Sequence, residues 1–355
     1  MKLSLDAMGG DNAPDINIDG AKLALQELPA LQKLYMVGDE DTLKKMCDAA
    51  GIGGNPRLEI VHAPEVVGMD ESGLAAVRQK KRSSMSISVD LVKDGTCDAV
   101  LSAGNTGAAV AASTIKLRLL EGVERAGIVS PIPNIRNYVL VSDTGANPDA
   151  KPSHLVGYAV MSAMMARYIY NIPNPKTGIM SNGTEDCKGS AFSKEAYRIM
   201  HHLAQAGLLP LDFTGNCEGH DLLESELDIA LTDGFTGNIL LKCVEATAKA
   251  FAHMLKAGIK KSPLAMLGAI GMRGVFKEIA NRMSADSIGG CPLMGVRGVS
   301  IIAHGSANGT AILNAIRMAE GMHRNNVNDR IIEAMGPINA ELQGMDSWAD
   351  APCAH

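Results

Sequence analysis

The segment from Asp98 to Ala108 joins a short apolar run, Ala99-Val100-Leu101, to a loop, Ser102-Ala103-Gly104-Asn105-Thr106-Gly107, and then to a small-residue stretch of helical composition reaching Thr114. An unbroken apolar run of this length suits a strand buried on both faces of a parallel sheet. The loop offers uncrowded backbone N–H groups, the Asn105 amide and the Thr106 hydroxyl at a helix start. Unsatisfied donors and partial positive charge there suit an anion. Taken alone, the same residues also describe a turn in which Gly and Asn only supply positive φ.

The pattern recurs, and the recurrence constrains the fold. Lys2 to Asp6 reads as a strand leading into Ala7-Met8-Gly9-Gly10-Asp11-Asn12-Ala13-Pro14, with Pro14 in the first turn of a helix to about Leu28. Strands at Lys33 to Gly38 and Leu58 to Ala63 alternate with helices at Asp41 to Ala50 and Ser72 to Lys93, the second broken near Ser83-Ser84. Further strands are expected at Gly127 to Pro131, Tyr138 to Ser142, Lys176 to Met180, Asp212 to Thr214, Leu227 to Leu231 and Val299 to Ala303. Most end in loops of Gly, Asn, Asp, Thr or Ser, notably Asp143 to Pro148, Ser181 to Gly189, Thr232 to Asn238 and His304 to Asn308. Such loops gather outside the carboxyl ends of a parallel sheet, where open α/β folds bind ligands.

Several function classes are excluded. Aromatic residues make up 3% of the chain and the net charge is −6, which disfavours nucleic acid as a partner. Seven scattered cysteines without a Cys-x-x-Cys pair point to a reducing cytoplasm and to no structural zinc. The chain enters a strand at once, without a secretory leader, and has no apolar run long enough to span a membrane. Gly-x-Gly-x-x-Gly does not follow the first strand, and neither a phosphate-binding Gly-x-x-x-x-Gly-Lys loop, a Gly-x-Ser-x-Gly elbow nor His-Glu-x-x-His occurs. What remains is a site of amides, hydroxyls and backbone N–H groups with Lys188, His304 and several carboxylates. Such a site can hold phosphate and stabilise an oxyanion without a covalent enzyme nucleophile.

The motifs Asp6-Ala7-Met8-Gly9-Gly10-Asp11, Ser102 to Ala108, Asp143-Thr144-Gly145-Ala146-Asn147, Glu185-Asp186-Cys187-Lys188-Gly189, Asp233 to Asn238 and Ile302-Ala303-His304-Gly305-Ser306 occur in this order. Together they resemble the motif set of the bacterial phosphate acyltransferases of phospholipid synthesis, from residue 2 to about residue 320. The resemblance implies a three-layer α/β/α sandwich with a mostly parallel sheet, like phosphotransacetylase and isocitrate dehydrogenase, in a homodimer with a cleft between two lobes. It implies one catalytic domain over 1–342, with an inserted apolar helical segment at 257–285 and a tail at 343–355.

The implied reaction takes acyl-ACP and inorganic phosphate to acyl phosphate and free acyl carrier protein, with no cofactor and no metal. Phosphate is itself the nucleophile and has only to be bound, desolvated and aimed. Lys188 and Asn238 are the expected catalytic residues. Asp6, Gly104, Asn105, Thr106, Asp143, Asn147, Asn182, Glu185, Asp233, Thr236 and His304 are expected around the substrates, some only fixing loop geometry. Without the resemblance, Lys188 reads first as a solvated surface lysine and Asn238 as an ordinary N-cap, while His304 reads equally as a structural histidine. Cys187 has no histidine nearby in sequence to activate it.

Leu264, Leu267 and Ile270 lie near helical spacing between Lys256, Lys260 and Lys261 on one side and Arg273, Lys277 and Arg282 on the other. This suits an anionic membrane surface, or else a dimer-interface or core helix. The resemblance favours a cytoplasmic protein held peripherally at the membrane, near a downstream glycerol-3-phosphate acyltransferase. The basic run Arg78 to Arg82 suits the acidic carrier protein or simply a solvated helix face. Two rival readings stay open: a phosphotransacetylase acting on acyl-CoA, and a non-catalytic scaffold that binds the carrier protein.

Overall fold

Two sets of parallel strands running in opposite directions share one continuous sheet. The structure, a computed structural model, describes residues 1–283 and 288–344. Its strands are β1 (Lys2–Asp6), β2 (Lys33–Gly38), β3 (Leu58–His62), β4 (Ala99–Ser102), β5 (Gly127–Pro133), β6 (Tyr138–Ser142), β7 (Lys176–Met180), β8 (Asp212–Cys217), β9 (Ile229–Leu231), β10 (Cys291–Met294) and β11 (Val299–Ile302). They form an 11-stranded sheet in the order β3-β2-β1-β4-β11-β10-β5-β6-β9-β7-β8. The first five strands in this order are mutually parallel, as are the last four. Between them, β10 pairs antiparallel with both β11 and β5, and β5 pairs antiparallel with β6.

This arrangement agrees with the expected mostly parallel α/β sandwich and corrects one assumption about it. Following the pairings across the seam, β6 runs opposite to β4. The loops after β4 and β11 and those after β6, β7 and β9 therefore leave from opposite edges of the sheet. Sheet twist, which accumulates at about 20–25° per strand, turns diagonal corners toward each other on one face. Loops from both halves meet there over β5 and β10.

The helix His154–Ile169 shows why the other face is the main core. Its sequence is rich in Ala, Met and Val with no polar stripe, and every residue from His154 to Ala166 is buried. A helix apolar all round must be covered on all sides. It packs against β6 and β9 and against the helices Ala191–Gln205, Gly309–Arg324 and Val327–Gln343. On the opposite face, Gly73–Gln79, Ser84–Lys93 and Thr106–Leu117 cover the first half of the sheet. The start of Gly234–Lys260 covers the second half. A side chain at Gly73 would overlap the Gly107 backbone, so only glycine permits those two helices to cross so closely.

Beyond its first turns the helix Gly234–Lys260 leaves the body of the protein, and only Gly234 and Gly237 in it are buried. It continues into Pro263–Gly271 and Arg273–Met283. Leu264, Leu267 and Ile270 are 78%, 67% and 71% exposed, with Phe251 and Met254 exposed nearby. Residues 284 and 285 of the apolar segment, and 345–355 of the tail, lie outside the described residues.

Asp6, at the end of β1, is fully buried and accepts a 2.7 Å hydrogen bond from Ser102 Oγ, while its Oδ1 has no partner. Burial raises its pKa. The folded chain thus holds this proton to higher pH than the unfolded chain does, and the contribution to stability falls as pH rises above the unfolded value of about 3.9. Asp6→Asn removes that dependence. In thermal melts, the Tm of the variant minus that of the wild type is expected to become more positive by about 1–3 °C between about pH 4 and pH 8. A constant difference would show that Asp6 does not titrate this way.

Candidate functional site

Where the two halves meet, a cavity of about 430 Å³ opens on the twisted face. Its floor is Ile128, Ser130 and Ile132 of β5 with Cys291 of β10. Alternate residues of a strand share a face, which is why these β5 side chains line up. Thr106 and Gly107 enter from the start of the helix Thr106–Leu117, and His304 from the loop after β11. Thr144 and Gly145, in the loop after β6, close one end beside Asn238. Leu241, Lys242, Val244, Glu245 and Ala248 form the long wall. These positions follow Asn238 at the three- and four-residue spacing of one helix face.

A second cavity, of about 450 Å³, lies on the other side of the first turn of Gly234–Lys260. Asn182, Ser181, Ser190, Ser193, Thr232, Asp233 and Thr236 contribute its polar lining. The expected site residues are therefore divided. Thr106, Asn238 and His304 face the first cavity, and Asn182, Asp233 and Thr236 the second. Lys188 is exposed on the loop bordering the second cavity, with its backbone N–H bonded to Glu185 O and its stem over Gly183. Glu185 is exposed on the same loop, and its carbonyl accepts from Asn216.

The remaining expected residues lie outside both linings and build the loops. Asp143 is wholly buried. Its Oδ1 accepts from the N–H groups of Ile128, Gly145 and Ala146 at 2.9–3.1 Å, and its Oδ2 from Asn147 N at 2.7 Å. Asn147 donates to Ala126 O and Tyr158 Oη. Asn105 caps its helix through Ala108 N and donates to the carbonyls of Gly68, Met69 and Glu71, holding that loop against the helix start. Gly104 donates to Ser102 Oγ and lies against Gly9. Of the residues facing the second cavity, Asp233 also caps Gly234–Lys260 by accepting from the N–H and hydroxyl of Thr236.

Electrostatics leaves the first cavity without an evident nucleophile of its own. Burial pushes the Cys291 thiol up, so it stays protonated, and it accepts a hydrogen bond from Ser130. Ser130 also bonds Thr144 at 2.6 Å. His304 Nδ1 accepts from Ser306 N–H at 3.1 Å, which places the proton of the neutral ring on Nε2. Among the described residues, no group of three or more His, Cys, Asp or Glu side chains is placed to hold a metal ion.

Cys291, Ser130, Thr144, Leu241, Val244 and Ala248 were not anticipated as lining residues. The spacing of 241, 244 and 248 was a readable signal. β10 was not, because Gly289-Gly290 and Pro292 interrupt its apolar run.

Comparison with known proteins identifies the lineage. The family described as "Fatty acid synthesis protein" matches residues 1–330. A phosphate acyltransferase of Akkermansia muciniphila is 61% identical over 338 residues, covering 95% of this chain and 97% of the relative. That of Elusimicrobium minutum is 41% identical over 320 residues, covering 90% and 92%. The chain belongs to the phosphate acyltransferase family. It is an acyltransferase. Solved structures with the same fold include a phosphotransacetylase from Streptococcus pyogenes, with TM-score 0.57, 17% identity and coverage of 91% of this chain and 94% of that one. A branched-chain phosphotransacylase from Enterococcus faecalis has TM-score 0.57, 13% identity and coverage of 91% and 99%.

Removing the Asp143 carboxylate leaves several buried N–H groups unpaired, each worth about 1–3 kcal/mol. Asp143→Ala is expected to lower the urea unfolding free energy by at least about 3 kcal/mol, with Asp143→Asn losing less. A loss under about 1 kcal/mol for the alanine variant would show that the loop does not depend on this carboxylate.

Proposed function

We propose that the protein transfers a fatty acyl group from acyl carrier protein to inorganic phosphate. The observation that carries this reading is a cavity with hydroxyl, amide and imidazole groups at one end and along one side, and an apolar wall running away from them. Family membership supports the phosphate acceptor. In the reaction, a phosphate oxygen attacks the thioester carbonyl carbon and the carbonyl becomes an oxyanion. Collapse breaks the C–S bond, giving acyl phosphate and the carrier's pantetheine thiolate. Lys188 supplies positive charge to phosphate or the oxyanion, and the Asn238 amide donates to it. His304 Nε2–H donates a hydrogen bond to the departing thiolate, which takes its proton from solvent. The helix start at Thr106 and Gly107 adds N–H donors for an anion.

Arg78, Lys81 and Arg82 are exposed, and we assign them to docking the acidic carrier protein. The runner-up donor is acyl-CoA, since phosphotransacetylases share the fold. Phosphate-dependent thiol release from long-chain acyl-ACP, compared with acyl-CoA, separates the two. A purified protein active on neither would leave the scaffold reading. Lys188→Ala and Asn238→Ala are each expected to lower kcat/KM for acyl-ACP by about 10²–10³-fold without a shift in Tm. Wild-type turnover in both would remove these residues from the mechanism.

We further assign the exposed surface of Leu264, Leu267 and Ile270, flanked by basic residues, to contact with an anionic membrane. Among the described residues no helix is long and apolar enough to cross a membrane. This contact would deliver acyl phosphate to the glycerol-3-phosphate acyltransferase expected downstream. A homodimer is the rival use of the same surface. Flotation with phosphatidylglycerol-containing vesicles is expected for the wild type and to be lost when all three residues become Asp. Unchanged flotation with an altered oligomeric state would instead mark a subunit interface.

A further inference from the structure

The first cavity carries Thr144, Gly145 and Asn238 at one end, His304 and the Thr106 helix start farther along one side, and Leu241, Val244 and Ala248 on the long wall; both elements that give it length start at the Asn238 end. β5 begins at Gly127; its second residue, Ile128, bonds through its N–H and C=O to Asp143 and Thr144, and the strand proceeds to Pro133. The helix Gly234–Lys260 presents Asn238 beside Gly145 and then Leu241, Val244 and Ala248 along the slot. The ten helical steps from Asn238 to Ala248 advance about 15 Å, enough for much of an extended alkyl chain. Lys242 and Glu245, also on this wall, bond to each other at 3.4 Å, with the lysine more than half exposed. Their charges offset each other along the wall, and Leu241, Val244 and Ala248 supply its apolar positions. Ala248 is the smallest side chain of the wall, at its far end.

We propose that the acyl chain of the donor lies in this slot, with its thioester at Thr144, Gly145 and Asn238, and that Ala248 sets the longest chain accepted. This rests on the acyl-transfer reading and specifies how that site measures its substrate. A bulky side chain at Ala248 fills the position of the terminal methylenes. Each excluded methylene forfeits its transfer free energy, and discrimination of about tenfold or more per position has precedent in apolar pockets. A shorter chain ends before Ala248 and does not meet the obstruction.

The test compares kcat/KM for sixteen-carbon and eight-carbon acyl-ACP in the wild type, Ala248→Trp, the milder Ala248→Leu, and Thr247→Trp, an exposed position outside the cavity lining. The ratio of long-chain to short-chain kcat/KM is expected to fall at least about tenfold in Ala248→Trp and in the same direction in Ala248→Leu. It should not fall in Thr247→Trp. A ratio that stays constant, or falls equally in Thr247→Trp, overturns the assignment.

A second arm uses no carrier protein and no phosphate. A fluorescent sixteen-carbon fatty acid should bind the wild type and Thr247→Trp alike, and bind at least about tenfold more weakly to Ala248→Trp. Absence of binding, or equal affinity in Ala248→Trp, overturns the slot. If the wild type cleaves no donor yet passes this arm, the acyl-transfer reading fails and the alkyl slot stands.

Discussion

Asp143 holds the junction of the two half-sheets. Its carboxylate gathers N–H groups from the start of β5 and from the loop after β6, positions that neighbouring strands of opposite direction leave unpaired. Asn147 extends the cluster to Tyr158, in the second turn of the buried helix. It also accepts from Gly234 N, the first residue of the long helix. That helix approaches so closely that a side chain at Gly234 or Gly237 would collide with this loop. The orientation of Asn238 and of the whole apolar wall therefore depends on one buried carboxylate and two glycines. None of these groups needs to touch substrate for the site to require it.

The chemistry follows from what this frame leaves available. Side chains that look like ligand donors, Asn105, Asp143 and Asn147, are occupied by backbone groups. The hydroxyls of Ser130 and Thr144 bond each other, and the Cys291 thiol is held protonated. A cavity lined this way offers surroundings for a nucleophile rather than a nucleophile. That matches an acceptor such as phosphate, which arrives already ionised. The exposed lysine lies on the opposite side of the first turn of the helix from the apolar slot. This division separates a water-facing polar cavity from one with an apolar wall, with Asn238 at the border.

Most strands and helices were legible in the sequence because apolar runs and caps are local signals. β1, β2, β6 and β7 fall where the apolar runs place them, and the break at Ser83-Ser84 separates two helices. Strand direction was not legible. The loops after β4 and β6 have nearly the same composition, yet leave opposite edges of the sheet, because direction is set by long-range connections through β5 and β10. Site residues were legible only as a pool. An Asn or Asp in a Gly-rich loop accepts or donates in the same way whether its partner is phosphate or the neighbouring backbone. Only the fold separates Asn238, facing a cavity, from Asn147, facing Tyr158. The wall was legible only in its spacing: Leu241, Val244 and Ala248 keep a helical period, but Lys242 and Glu245 share their face, and those charges read as surface.

The length of Gly234–Lys260 has a physical rationale within this picture. A helix supported by only two buried residues near its start gains little from burial in its own protein, and most helical stability comes from packing an apolar face. Twenty-seven residues advance about 40 Å, which carries the apolar tip at Leu264, Leu267 and Ile270 well away from the sheet. The tail end of the slot, at Ala248, lies on the same helix and toward that tip. An acyl phosphate leaving there has an apolar surface along its way, and exposing its chain to water would cost about 0.8 kcal/mol per methylene. A single continuous helix joining cavity and tip shortens that exposure. On the proposed acyl-transfer reading, this is the use of a helix that the fold of the sheet does not require.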